Sequence, residues 1–221
     1  MPQPRNHYLE AKNLVILDLP AVVNYDHLPL RKALVAAFQS SMQCTPVVTD
    51  IDWSQNAAGV INQVSRKSCG RLPSAEETGK IKAVFHDYLK QYFLLNEDSF
   101  EVWSGIQNIF ESLDKRPDWD YIIVSDYWHD STAFMLNSCG IFSRKMKLLT
   151  ADDGVSPQEI VRDITQNGTI GPDDVVYLMA REIQQLDKNA SKARLHRINP
   201  PHKPKADLLE YPRFSKLFTS A

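Results

Sequence analysis

The sequence predicts an α/β fold: a parallel sheet flanked by helices, with a helical domain inserted after the first strand. Three short apolar runs, residues 14–19, 121–125 and 175–179, lack polar alternation, as strands covered by helices on both faces do. Between and after them lie segments with helical spacing, and strands that alternate with helices define an α/β domain. A length of 221 residues holds one sizeable core with a small insertion, and no internal repeat points to a solenoid.

The first run, Leu14-Val15-Ile16-Leu17-Asp18-Leu19, carries one carboxylate near its end. Residues 24–100 then break the rhythm, holding no convincing parallel strand and offering helices instead. One helix is predicted from about Pro29 to Met42. Another, from about Ser74 to Leu95, opens on a Ser74-x-x-Glu77 capping box and sets Ile81, Val84, Phe85, Tyr88, Leu89 and Phe93 on one broad face. The chain therefore divides into a core, residues 1–23 and 101–221, and a helical cap, residues 24–100.

Ile106, Ile109, Phe110 and Leu113 share a helical face ahead of the second run, Tyr121-Ile122-Ile123-Val124-Ser125. Asp130 is expected to cap the next helix, which carries Ala133, Phe134 and Leu136 and stops at Cys139-Gly140. Weaker strands are expected at Lys145–Thr150 and Leu195–Ile198, and a helix start at Ser156-Pro157-Gln158-Glu159. Beyond Ile198, the prolines 200, 201 and 204 read as an extended exit, followed by an apolar tail through Leu208, Leu209, Phe214 and Phe218 that is expected to dock on the core, the alternative being a contact surface.

Charge is nearly balanced, 25 Lys+Arg against 27 Asp+Glu, so no global field favours nucleic acid or an anionic membrane. The expected partner is a small molecule or a protein. Cys44, Cys69 and Cys139 form no C-x-x-C pair and read as free, mostly buried thiols. No apolar run approaches the roughly 20 residues of a membrane span, and the first residues carry no apolar signal region, so a cytoplasmic protein is expected.

In a doubly wound sheet the ligand sits outside the carboxyl ends of the strands, which singles out Asp18 and Ser125. The string Asp18-Leu19-Pro20-Ala21-Val22 resembles the first motif of the haloacid dehalogenase (HAD) superfamily, a hydrophobic strand followed by Asp-x-Asp-x-Thr or Val. Ser125, closing its strand, resembles the second motif, where a hydroxyl holds the transferred phosphoryl group. The insertion resembles the helical cap of phosphoglycolate-phosphatase-like members, and Val102-Trp103-Ser104-Gly105-Ile106 resembles the return to the core. The resemblance covers roughly residues 12 to 198. It implies a Rossmannoid core, Asp18 at the nucleophile position and Ser125 at the phosphate-holding position. Leu19, Pro20 and Asp126 beside them, with Trp53 and Asn56 of the cap, are the candidate binding residues.

The departures from that pattern set the functional expectation. The family's second aspartate is an acid/base worth roughly 100- to 10,000-fold in rate, and here Pro20 stands in its place. The third motif lacks its cation in Ala151-Asp152-Asp153-Gly154-Val155-Ser156-Pro157, with Lys145 and Lys147 only upstream. In the fourth, Ala180 and Gln184 replace the metal acids, which leaves Asp18, the Pro20 carbonyl and Glu182 as weak candidates for magnesium. The expectation is a HAD-type protein of phosphatase descent with weak or no phosphatase activity, acting by binding a small phosphate ester or a protein, with no cofactor. The alternative is an active hydrolase with Asp18 as nucleophile, Mg2+ and non-standard supporting residues. Tyr127, Trp128 and His129 stand at the mouth of the expected cleft, and Asp50 and Asp52 in the cap are too few for a metal site.

Overall fold

The computed structural model describes residues 13–96, 99–141, 143, 145–153, 175–179 and 194–197. Its centre is a parallel sheet of five strands: β1 (Asn13–Asp18), β4 (Trp119–Val124), β5 (Lys147–Leu149), β6 (Val175–Met179) and β7 (Arg194–Arg197), in the order β5-β4-β1-β6-β7. All four adjacent pairs are parallel. Leu14 to Leu17 of β1 are buried, which explains why this strand reads as an unbroken apolar run. The chain builds outward from β1 through β4 to β5, then returns to place β6 on the other side of β1. That reversal makes the carboxyl end of β1 the topological switch point of the sheet.

The first strand ends at Asp18, one residue earlier than its apolar run suggests. Leu19 instead opens a single-turn helix, α1 (Leu19–Val22), with Pro20 in its first turn. Proline suits that position because the amide it lacks would have no helical partner there. A two-residue strand, β2 (Val23–Asn24), then pairs antiparallel with β3 (Glu101–Val102), so the segments leaving and re-entering the core lie side by side.

Between them lie three helices, α2 (His27–Met42), α3 (Ala57–Cys69) and α4 (Ala75–Leu95). The capping box of α4 is complete, with Ser74 Oγ accepting from the Glu77 amide and the Glu77 carboxylate accepting from the Ser74 amide. Helix α3 is an addition to the two helices expected here. Its buried Ala57, Val60, Ile61 and Val64 follow helical spacing within a polar stretch, and Asn56 caps it by accepting from the Gly59 amide.

Helix α5 (Ile106–Asp114) buries the four predicted residues Ile106, Ile109, Phe110 and Leu113. Helix α6 (His129–Ser138) begins two residues earlier than the Asp130 cap would place it: Trp128 is the cap residue, and its carbonyl accepts from the Thr132 amide at 2.9 Å. Asp130 lies in the first turn, where its charge favours the helix dipole without capping it. The helix expected from Ser156, the tail beyond Ile198, and Ala180, Glu182 and Gln184 lie outside the described residues.

One buried apolar cluster runs from Val15 and Leu17 of the sheet through Phe38, Val64 and Phe85 of the insertion to Trp128 and Leu136. No described helix is long and apolar enough to cross a membrane.

Candidate functional site

Asp18 and Ser125 sit at the carboxyl ends of neighbouring central strands. Asp18 is in register with Val124, and Asp18 and Ser125 are 5 % and 2 % exposed. Asp18 occupies the N-cap position of α1 in extended backbone, but its side chain makes no capping bond. Leu19 behind it is fully buried. The Pro20 carbonyl accepts a hydrogen bond from the indole Nε1–H of Trp103 at 2.8 Å. Trp103 is held in place by its own amide, which donates to the Val22 carbonyl at 3.2 Å where the chain returns from the insertion.

The Ser125 hydroxyl is engaged by its own surroundings. Its oxygen accepts from Thr132 Oγ1 at 2.7 Å and from the Tyr127 amide at 3.1 Å, and its amide donates to the Leu149 carbonyl at 2.8 Å. These bonds brace the turn between β4 and α6, and they direct the hydroxyl into the protein.

Magnesium asks for an octahedral set of oxygen donors, normally including one or two carboxylates. The resemblance would supply Asp18 and the Pro20 carbonyl for it. The Pro20 carbonyl also accepts from the Trp103 indole, and no group of three acidic, histidine or cysteine side chains suited to a metal occurs among the described residues. Glu182, the further carboxylate candidate, lies outside them. Asp52 in the insertion is used locally: it accepts from the Ser54 hydroxyl and amide at 2.6 and 3.0 Å, and these bonds hold it below the usual carboxylate range.

The two upstream lysines are tied to the other end of the sheet. Lys145 Nζ donates to the Arg116 carbonyl, ahead of β4, at 3.0 Å, and Lys147 Nζ reaches Asp120 Oδ2 at 3.2 Å. The cation that does approach the β4–α6 corner is Lys82 of α4, paired with Asp152. Asp152 also accepts from the His129 amide at 2.8 Å. Burial raises the pKa of that carboxyl, but the His129 amide and the Lys82 ammonium outweigh it and hold the group below its ordinary value. His129 itself is exposed, with Nδ1 at 3.6 Å from Asp130.

Above this corner the insertion packs directly on the core. Tyr127 and Trp128 are only 8 % and 3 % exposed. Phe85 of α4 stacks on Tyr127 at 5.7 Å between ring centroids and meets Trp128 edge-on at 5.5 Å. The Ala57 amide at the start of α3 donates to the Asp126 carbonyl at 2.7 Å.

Beside that contact lies a cleft of about 190 Å³, lined in part by His27, Arg31, Trp53, Gln55, Asp126 and Tyr127. The Arg31 guanidinium lies over the Trp53 ring at 5.2 Å. The cleft thus joins Trp53 and Asp126, whereas Asp18, Leu19, Pro20 and Ser125 are not among its lining residues. Asn56 spends its side-chain oxygen on the α3 cap. Arg31 and His27 were not singled out from the sequence, although with Leu30 and Leu34 they form one i, i+3, i+4, i+7 stripe of α2. That stripe was the available signal.

Fold and site define a doubly wound α/β protein with a helical insertion after its first strand and a small cleft of mixed polar and apolar lining where insertion and core meet. No family model matches the sequence, and no curated protein matches it. Similar solved structures include a HAD family enzyme from Bacteroides thetaiotaomicron, an aspartate-to-alanine variant in complex with magnesium and inorganic phosphate. It is 16% identical over 94% of this chain and 99% of its own, with a TM-score of 0.47. A predicted phosphoglycolate phosphatase from Haemophilus somnus 129PT is 14% identical over 85% of this chain and 84% of its own, with a TM-score of 0.46. A hydrolase of the haloacid dehalogenase-like family from Streptococcus pneumoniae is 12% identical over 86% and 84%, with a TM-score of 0.43.

Proposed function

We propose that this chain is a HAD-type protein of phosphatase descent that binds a small phosphate ester and hydrolyses it weakly or not at all. The observation that carries this reading is Pro20. The residue cannot transfer a proton, it has no amide to offer a phosphate, and its carbonyl accepts from the Trp103 indole. Phosphoryl transfer depends on positioning and electrostatic stabilisation, and both are weakened when the acid/base and a backbone N–H donor are lost together. The engagement of Ser125 with Thr132 and the Tyr127 amide supports the same reading.

Binding falls to the neighbouring cleft. Arg31 lying against Trp53 offers a guanidinium for a phosphate, and the edges of Trp53 and Tyr127 offer apolar contact for the rest of a small ester.

Turnover of a panel of small phosphate esters, with and without magnesium, tests the catalytic half on wild type and Asp18→Asn. The expected result is no magnesium-dependent turnover in either protein. Magnesium-dependent turnover that vanishes in Asp18→Asn would replace this reading with a working hydrolase built on Asp18. Calorimetric titration with the same esters tests the binding half. Arg31→Ala is expected to weaken any ester that binds by tenfold or more, and equal affinity in both proteins would remove the cleft from the account.

A further inference from the structure

Where α4 of the insertion meets α6 of the core, the contact gathers around one aromatic ring. Phe134 of α6 is met edge-on by His86 at 5.8 Å and by Phe93 at 5.7 Å between ring centroids. His86 and Phe93 stand two turns apart on one face of α4. Phe93 stacks in turn on Phe100, just ahead of β3. His86 brings a polar atom into this apolar contact: its Nδ1 is buried, with no hydrogen-bond partner among the described residues. The His86 and Phe134 side chains are half-buried, so the ring has solvent close by.

Such a position suits the neutral imidazole better than the cation. The neutral ring carries one N–H and one bare nitrogen, whereas the imidazolium carries an N–H on both. Protonation therefore leaves a charged N–H at Nδ1 facing no acceptor, and an unpaired buried donor is costly, more so when charged. The charged groups acting on the ring are Lys90 and Asp87 of α4 and Asp130 of α6. Burial is the largest influence and lowers the pKa from 6.5; Lys90 lowers it further, while Asp130 and Asp87 raise it. Lys82, one turn before His86, is paired with Asp152, and His129 lies exposed beside Asp130.

We propose that His86 is a pH-sensitive release in the seam between insertion and core: neutral, its ring packs on Phe134 and seats α4 on α6; protonated, it turns out to solvent and loosens that seam. The sign follows from the packed ring having the lower pKa. Protons bind the released form better, so the seam is complete above about pH 6.5 and weakens as pH falls below it. Phe85, the preceding residue, stacks on Tyr127 of the cleft, so release of α4 reaches one wall of the cleft.

The full chain without ligand provides the test, so the outcome does not depend on what the cleft binds. Hydrogen exchange of α4, α6 and β1 amides is compared at about pH 7.5 and about pH 5.5, each rate corrected for the intrinsic effect of pH. Below both pKa values the released form gains tenfold for each pH unit between them, so α4 and α6 protection in wild type is expected to fall by about threefold or more while β1 keeps its own. His86→Phe keeps a ring and cannot take a proton, and its α4 and α6 protection is expected to stay level. His129→Gln, which removes the neighbouring exposed imidazole, is expected to respond as wild type does. The titration of the His86 ring, followed by NMR in wild type, is expected to have its midpoint below 6.5. No loss of protection in wild type, an equal loss in His86→Phe, a loss abolished by His129→Gln, or a His86 midpoint at or above 6.5 would overturn the proposal.

Discussion

At Pro20 the ring holds no proton to move, and its nitrogen has no hydrogen to offer an anion. Its remaining polar atom, the carbonyl, is matched to Trp103, a residue supplied by the chain on its return from the insertion. Replacing Trp103 by Phe removes the donor and leaves a part-buried carbonyl unpaired, an expected cost of about 1–3 kcal/mol. Urea unfolding measures it, and a variant as stable as wild type would mean that water replaces the indole. Ser125→Ala strips the acceptor from the Thr132 hydroxyl and the Tyr127 amide, and a loss of about 1–3 kcal/mol is expected on the same scale. No loss would show that the bracing of the β4–α6 turn is dispensable. Both positions were legible in the sequence because Ser125 closes an apolar run and Pro20 follows directly on another. Their partners were not, since Trp103 and Thr132 reach them only through the folded topology.

Elements announce themselves to different degrees. Strands β1 and β4 were readable because Leu14–Leu17 and Tyr121–Val124 are buried and leave no polar position within those runs. Helix α3 was harder to read, because its apolar stripe is diluted by Asn62, Arg66 and Lys67 on the solvent side. Helix α4 was the clearest, and its start is reinforced beyond the capping box. Arg71 grips the Glu77 carboxylate with two hydrogen bonds, at 2.6 and 2.7 Å. Arg71, and after it the Ser74 amide, depress Glu77 to about 2 from an ordinary 4.5. Because the folded value is the lower one, the contribution of this carboxylate is complete above about pH 4.5 and disappears as pH falls towards about 2. Glu77→Gln is therefore expected to be less stable than wild type at neutral pH, with the difference shrinking across that window. A gap that stays constant from pH 5 to pH 2 would assign the loss to something other than the charge. Ser74→Ala removes the other half of the box and should cost about 0.5–2 kcal/mol in urea unfolding.

Across the whole molecule, insertion and core share one continuous apolar cluster, reinforced at its polar edge by the Lys82–Asp152 pair and the Ala57–Asp126 hydrogen bond. An insertion joined to its core only through β2 and β3 would be free to unfold alone. This one has Phe85 buried between Tyr127 and Trp128, so separating the two parts exposes three aromatic rings at once. Wild type is therefore expected to unfold in a single transition, with amides of α3 in the insertion and of β4 in the core losing hydrogen-exchange protection together as denaturant rises. Phe85→Ala removes the central ring and is expected to cost about 3–5 kcal/mol. The cost should appear in both sets of amides, because the lost contact belongs to both parts. If the variant opens α3 while β4 keeps wild-type protection, the insertion is an independent unit, and the aromatic contact seats it on the core without coupling the two.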